Sequence, residues 1–172
     1  TNFSSVELEL RTKSIVSETL LKRSPVSNCI VAYSLSPSNL AGVLDNKAPS
    51  IERRVNALKT LAKNGWTVGL RFDPLIYCSG WENLYSELIQ DIFTDINIDK
   101  VHSVSHGPLR FPKEMYKKIT SLYPDDKLFS FPMKTKGGIV SYGSDIEQEM
   151  SLFLQSELEK YTTKKKIFRC LV

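Results

Sequence analysis

Closely spaced cysteines are missing from this chain. Cys29, Cys78 and Cys170 are its only three, they stand far apart, and no CxxC pair occurs. No metal site or disulfide framework is legible from such spacing, and a reduced, cytoplasmic setting is the default. Histidine is scarcer still, with His102 and His106 alone, and a metal needs more ligands than these two supply. No apolar run is long enough to cross a bilayer and no signal peptide is evident, so no membrane partner is expected. A strong charge of one sign is lacking too. The 23 basic and 19 acidic residues leave a net +4, which is compatible with an anionic partner without demanding one. There is no internal repeat and no low-complexity tract. The sequence opens at Thr1 without a methionine, as a trimmed, processed or longer protein would.

What is present is an alternation of strand and helix over 172 residues, read as a single domain, 1–172. Val6 to Lys13 alternates apolar and polar as a strand does, and Ile15 to Leu21 reads as a short, weakly capped helix. Cys29 to Leu35 is a buried strand, and Leu40 to Ala48 a loop or ragged helical turn. Ile51, Val55, Leu58 and Leu61 recur at helical spacing, with Ser50 suited to the start and Asn64-Gly65 to a left-handed end. Trp81, Leu84, Leu88, Ile92 and Phe93 mark a second helix. Lys100 to Ser105 is a shorter strand, His106 to Phe111 its exit loop, and Lys113 to Leu122 a helix opened by Pro112. Leu128 to Phe131 and Ile139 to Tyr142 are expected to pair as a hairpin across Lys134 to Gly138. Ser144-Asp145-Ile146-Glu147 reads as a capping box, and Ile167 to Val172 as a last strand.

Between the two strongest helices lies Thr67 to Tyr77, a short apolar run ending in Arg71, Asp73 and Pro74. Side chains two apart share one face of a strand, so Arg71 and Asp73 point together at the strand's carboxyl end. Parallel α/β sheets place ligands there, while a structural ion pair explains the same residues equally well. Arg11 and Lys13 likewise share a face, and of Tyr33 and Ser34 only one can look inward.

Alternation of this kind implies right-handed βαβ units and a parallel sheet. Four such strands fall short of the roughly eight of a complete barrel. The fold class is therefore α/β, either a partial (β/α) barrel or a compact open sheet.

Arg11-Thr12-Lys13, Val31-Ala32-Tyr33-Ser34-Leu35-Ser36, Gly69-Leu70-Arg71-Phe72-Asp73-Pro74-Leu75-Ile76-Tyr77, Gly80-Trp81-Glu82 and Gly107-Pro108-Leu109-Arg110-Phe111-Pro112 run in this order along the chain. Together they resemble the C-terminal part of the spore photoproduct lyase family. The family consists of radical S-adenosylmethionine (SAM) enzymes of DNA photoproduct repair. The resemblance implies the C-terminal half of a partial barrel, with parallel strands and flanking helices, followed by a hairpin and a helix. It implies SAM beside Lys13, Ser34, Ser36 and Asp73. Lys13 would meet the cofactor's carboxylate, and the serines would offer small hydroxyls. DNA would be met by Arg71 and by the hairpin, through Lys134, Lys136 and Tyr142. The family's [4Fe-4S] cluster hangs on three closely spaced cysteines, and its hydrogen donor is another cysteine. None of those positions is matched here, so the cluster ligands and catalytic cysteine are expected outside this chain, on an N-terminal half or partner chain.

Three functions follow. One is the C-terminal portion of a radical SAM lyase for thymine photoproducts in DNA, inactive by itself. The second is a non-catalytic nucleic-acid-binding or interaction protein derived from that family. The third is an unrelated α/β enzyme that holds a phosphate with Arg71, Asp73 and Lys13. Lys134 and Lys136 suit a phosphate backbone, although a basic hairpin tip is more often simply solvated. Trp81 suits core or lid, and Lys164-Lys165-Lys166 a solvated turn before the last strand.

Overall fold

The computed structural model describes residues 5–170 except Val16 and Asn46. Its centre is a five-stranded parallel sheet. Strands β1 (Leu8–Thr12), β2 (Cys29–Ser34), β3 (Thr67–Leu75) and β4 (Val101–Pro108) lie side by side in chain order. The late strand β8 (Ile167–Arg169) adds beside β4, also parallel. The expected adjacency of the strands carrying Lys13, Ser34, Asp73 and Val104 is thus observed. Leu171 and Val172, assigned to the last strand from sequence, lie outside the described residues, as do Val16 and Asn46 in their own segments.

The helices are α1 (Glu18–Leu21), α2 (Ser38–Leu44), α3 (Ile51–Lys63), α4 (Trp81–Thr94), α5 (Lys113–Leu122) and α6 (Ser144–Glu159). Helix α3 starts because the Ser50 hydroxyl accepts the Arg53 N–H, and it ends ahead of Gly65 at φ +89°, a backbone angle that favours glycine. Its buried stripe of Val55, Leu58 and Leu61 joins Tyr85, Ile89 and Ile92 of α4 in one core. Met150, Leu154 and Leu158 of α6 complete that core against Tyr33, Leu70, Phe72 and Val104 of the sheet. Each such side chain contributes about 1.5–3 kcal/mol by leaving water. Alternation sends Glu9, Arg11, Ser34, Gly69, Arg71, Asp73, Ser103 and Ser105 to the opposite, polar face.

The second sheet departs from expectation. Its strands are β5 (Arg110–Pro112), β6 (Lys134–Lys136) and β7 (Ile139–Ser141), antiparallel in the order β5-β7-β6. Strand β4 runs on through His106 to Pro108, and β5 follows almost at once, where the sequence reading had an exit loop. The hairpin partner of β7 is Lys134–Lys136 and not Leu128 to Phe131. Gly137 and Gly138, with φ of +58° and +83°, close a two-residue turn that glycine makes without strain. Leu128 instead lies in a short 3-10 turn, and Phe131 packs edge-on against Tyr77 at 4.9 Å between centroids. The capping box is also absent. Helix α6 is capped at Gly143, and Ser144 is its first residue.

Candidate cofactor and nucleic-acid site

Parallel register brings the carboxyl ends of β1, β2 and β3 to one rim, with Thr12 opposite Tyr33 and Ser34 opposite Arg71. There Lys13, Ser34, Ser36 and Asp73 line a single cleft with Asp45. Sequence reasoning missed Asp45, which follows the short helix α2. One of its oxygens pairs with the Lys13 ammonium and the other with Nη1 of Arg54 at 2.6 Å. Arg54 is 1% exposed and also donates to the carbonyls of Pro49 (2.9 Å) and Ser34 (3.3 Å). Burial alone would raise the Asp45 carboxyl, but the hydrogen bonds from Lys13 and Arg54 outweigh it and hold the group below its usual range.

The cleft holds about 50 Å³, against the roughly 300 Å³ at which small-molecule pockets begin. It is therefore one wall of a site. A hollow of about 750 Å³ between Lys63 and Lys100 lies at the amino ends of the strands, and one of about 500 Å³ lies between α3 and α4. Neither contains any residue of this rim, so size does not make them the better candidates.

Asp73 is held by Arg110 of β5 through two hydrogen bonds of 3.1 Å. The chain leaving β3 is pinned by two tyrosine hydroxyls. Tyr85 accepts the Ile76 N–H at 2.9 Å, and Tyr142 accepts the Tyr77 N–H at 3.1 Å. Burial pushes the Tyr142 phenol up to about 12. With 3% of its surface exposed, Tyr142, expected from sequence at the DNA surface, serves as a strut of the strand exit.

Arg71 is likewise buried. Its Nε and Nη2 donate to the Glu9 carboxylate at 3.2 and 2.6 Å. Nη1 donates to the carbonyls of Leu70 and Ser103, and Nη2 also to the Ser103 hydroxyl. Its five N–H donors are all engaged, and the residue is 3% exposed, so none is left for a phosphate. The side chain folds back over Gly69, where a Cβ would stand 2.7 Å from Nη2. The Arg71 hydrogen bonds hold the Glu9 carboxyl at about 2, overcoming its partial burial, with Arg11 assisting. Of Arg71, Asp73 and Lys13, the first is fully paired inside the sheet and the second is held by Arg110, while Lys13 is the one that reaches solvent.

Lys134 and Lys136 stand exposed on β6, the outer strand of the small sheet. Cys29 is buried in the core, while Cys78 and Cys170 lie beyond the ends of β3 and β8, all as free thiols. Among the described residues no group of three His, Cys, Asp or Glu is placed to hold a metal ion. The cysteines of this chain do not fit a cluster. His106 is buried beside Arg169, and burial first, then that charge, lowers it to about 4. No helix of the described residues is long and apolar enough to cross a membrane.

Comparison with known proteins bears on the family and the fold. The spore photoproduct lyase family model matches residues 2–168. No curated protein sequence matches the chain. A spore photoproduct lyase mutant solved with bound AdoMet and dinucleoside spore photoproduct superposes at a TM-score of 0.75 with 19% identity, covering 95% of this chain and 50% of that one. Another mutant with the dinucleoside spore photoproduct gives 0.78, again at 19% identity and with the same coverage. The chain thus spans about half the length of the solved structures it matches. With the family model covering nearly all of it, the chain belongs to the spore photoproduct lyase family.

Proposed function

We propose that this chain is the C-terminal half of a radical SAM lyase that repairs thymine photoproducts in DNA, completed by an N-terminal half that carries the cluster. The convergence of Lys13, Ser34, Ser36 and Asp73 on one cleft at the strand ends carries the reading. These residue types suit the cofactor. An ammonium meets a carboxylate, and small hydroxyls meet its polar edges. SAM, when bound, supplies one-electron hydrogen-abstraction chemistry. The residues of this chain bind and orient it. Arg110 fixes Asp73, and the two tyrosine pins fix the backbone behind it. With the half-barrel joined to its N-terminal partner, Lys13→Met is expected to weaken SAM binding by about 1–3 kcal/mol, the range for one charge-assisted hydrogen bond. Calorimetric titration checks it, and equal affinities would remove Lys13 from the site.

The DNA contact falls to the exposed lysines of β6. Lys134→Ala is expected to leave SAM affinity unchanged and to lower DNA affinity, making its salt dependence shallower by about one counterion. DNA titrations at two salt concentrations decide this, and an unchanged slope would take β6 off the DNA surface. The second reading, a non-catalytic nucleic-acid-binding relative, is favoured by one observation, the lack of any three-cysteine cluster among the described residues. It predicts DNA binding that SAM does not influence.

A further inference from the structure

Lys13, Asp45 and Arg54 form a chain of alternating charge running from the cleft into the core. The exposure of the three side chains falls from 46% to 13% to 1%. Only Lys13 and Asp45 line the cleft, while Arg54 approaches it from behind, on α3. With Asp73 neutralised by Arg110, Lys13 and Asp45 standing alone would cancel, and the rim would hold no net charge to attract an anion. The buried guanidinium alters that balance. One carboxylate is shared by two cations, so the trio carries one positive charge in excess, and Lys13 is the member that reaches solvent.

We infer that Arg54 is a positioning residue that makes the cleft carboxylate-accepting: by holding Asp45 from behind, it leaves the charge of Lys13 available to the carboxylate of an amino-acid-bearing ligand such as SAM. The inference rests on the reading of Lys13 as cofactor-facing. An incoming carboxylate takes over the Lys13 ammonium while Asp45 keeps Arg54, so neither anion is stranded. The Arg54 bonds to the carbonyls of Pro49 and Ser34 fix the guanidinium against β2, so it has no freedom to follow the ligand. Asp45 in this scheme is a resident competitor. Its removal frees Lys13, whereas removal of Arg54 alone turns Asp45 wholly onto Lys13.

The two effects have opposite signs, and the double variant separates charge balance from structure. The acetylation rate of Lys13 by acetic anhydride, resolved by mass spectrometry, reads on the 172-residue chain how tightly the ammonium is held. It is expected to fall by about threefold or more in Arg54→Met and to rise in Asp45→Asn. In Asp45→Asn/Arg54→Met it should match Asp45→Asn. That variant also guards against misfolding, because removing both partners of a buried pair is far milder than removing one. SAM titration of the completed barrel is expected to show about tenfold weaker binding in Arg54→Met, near-normal binding in the double variant, and tighter binding in Asp45→Asn. Binding in the double variant as weak as in Arg54→Met would make Arg54 merely structural and overturn the inference. So would weaker binding in Asp45→Asn, which would make Asp45 a direct ligand. Unchanged SAM affinity in Lys13→Met would instead sink the cofactor reading, and an acetylation rate unchanged by Arg54→Met would then overturn the charge relay as well.

Discussion

Arg71→Met is expected to destabilise the fold by about 2–4 kcal/mol, slightly under the usual loss for breaking a buried ion pair because Glu9 retains some contact with water. The guanidinium ties β1, β3 and β4 together through Glu9, Leu70 and Ser103. Without it, Glu9 keeps, among the described residues, Arg11 as a hydrogen-bond partner, and the Ser103 hydroxyl and carbonyl each lose a donor. The substitution also changes the response to acid. Glu9 has a folded value near 2 against an ordinary 4.5. The stability it contributes is therefore present above about pH 4.5 and is lost as pH falls from there to about 2. Arg71→Met should lack most of that step. His106, lowered from 6.5 to about 4, gives a separate loss between those values in both proteins. Its unfolded form takes up a proton that its buried form refuses. Urea unfolding at pH 7, 4 and 2.5 separates the two groups. An identical pH dependence in both proteins would show that the Arg71–Glu9 pair contributes nothing to folding.

Adding the N-terminal half of a spore photoproduct lyase barrel is expected to change this chain more than any point substitution. Strand β1 is the open edge of the large sheet, and its apolar row of Leu8 and Leu10, with Val6 just ahead of the strand, is 55%, 39% and 55% exposed. Helix α1, four residues long with none of them buried, does not cover that row. An apolar edge strand left uncovered is a template for pairing with another chain. Alone, the chain should therefore self-associate, and the N-terminal half of a spore photoproduct lyase barrel should suppress this. The same addition should raise SAM affinity by roughly a hundredfold or more, the effect of about two charge-assisted hydrogen bonds supplied by a second wall. Sedimentation velocity and calorimetry with and without the partner half test both parts. Tight SAM binding by the chain alone, or a monodisperse monomer at high concentration, would count against the half-barrel reading.

The parts of this fold that were legible in the sequence are those written in local chemistry. Helix α5 falls on its sequence-read bounds because Pro112 opens it, and α3 begins at its expected residue because Ser50 caps it. What eluded the sequence depends on partners far along the chain. Lys134-Thr135-Lys136 has no apolar residue to announce a strand, whereas Leu128 to Phe131 does and is none. Tertiary pairing with β7 overrode local preference. Arg71 and Asp73 do share a face, but Glu9 lies 62 residues from Arg71 and Arg110 lies 37 from Asp73. Nothing in a strand pattern says which carboxylate or guanidinium will meet them. Lys13, Ser34, Ser36 and Asp73 could be grouped through the family resemblance. Asp45 and Arg54 could not, since one follows a seven-residue helix and the other looks like any arginine on an amphipathic one.

The open edge at β1 also limits the symmetry of any assembly this chain makes with itself. All five strands of the large sheet run the same way. Two copies joined edge to edge about a two-fold axis must meet with their first strands antiparallel. Such a dimer extends the sheet to ten strands but reverses its direction at the seam, so the two Lys13 rims look away from each other. A strand that continues the barrel must enter in parallel orientation. A dimer through β1 and a completed barrel therefore compete for one edge, and pairing β1 with β1 does not reproduce the enclosed rim that a different half supplies.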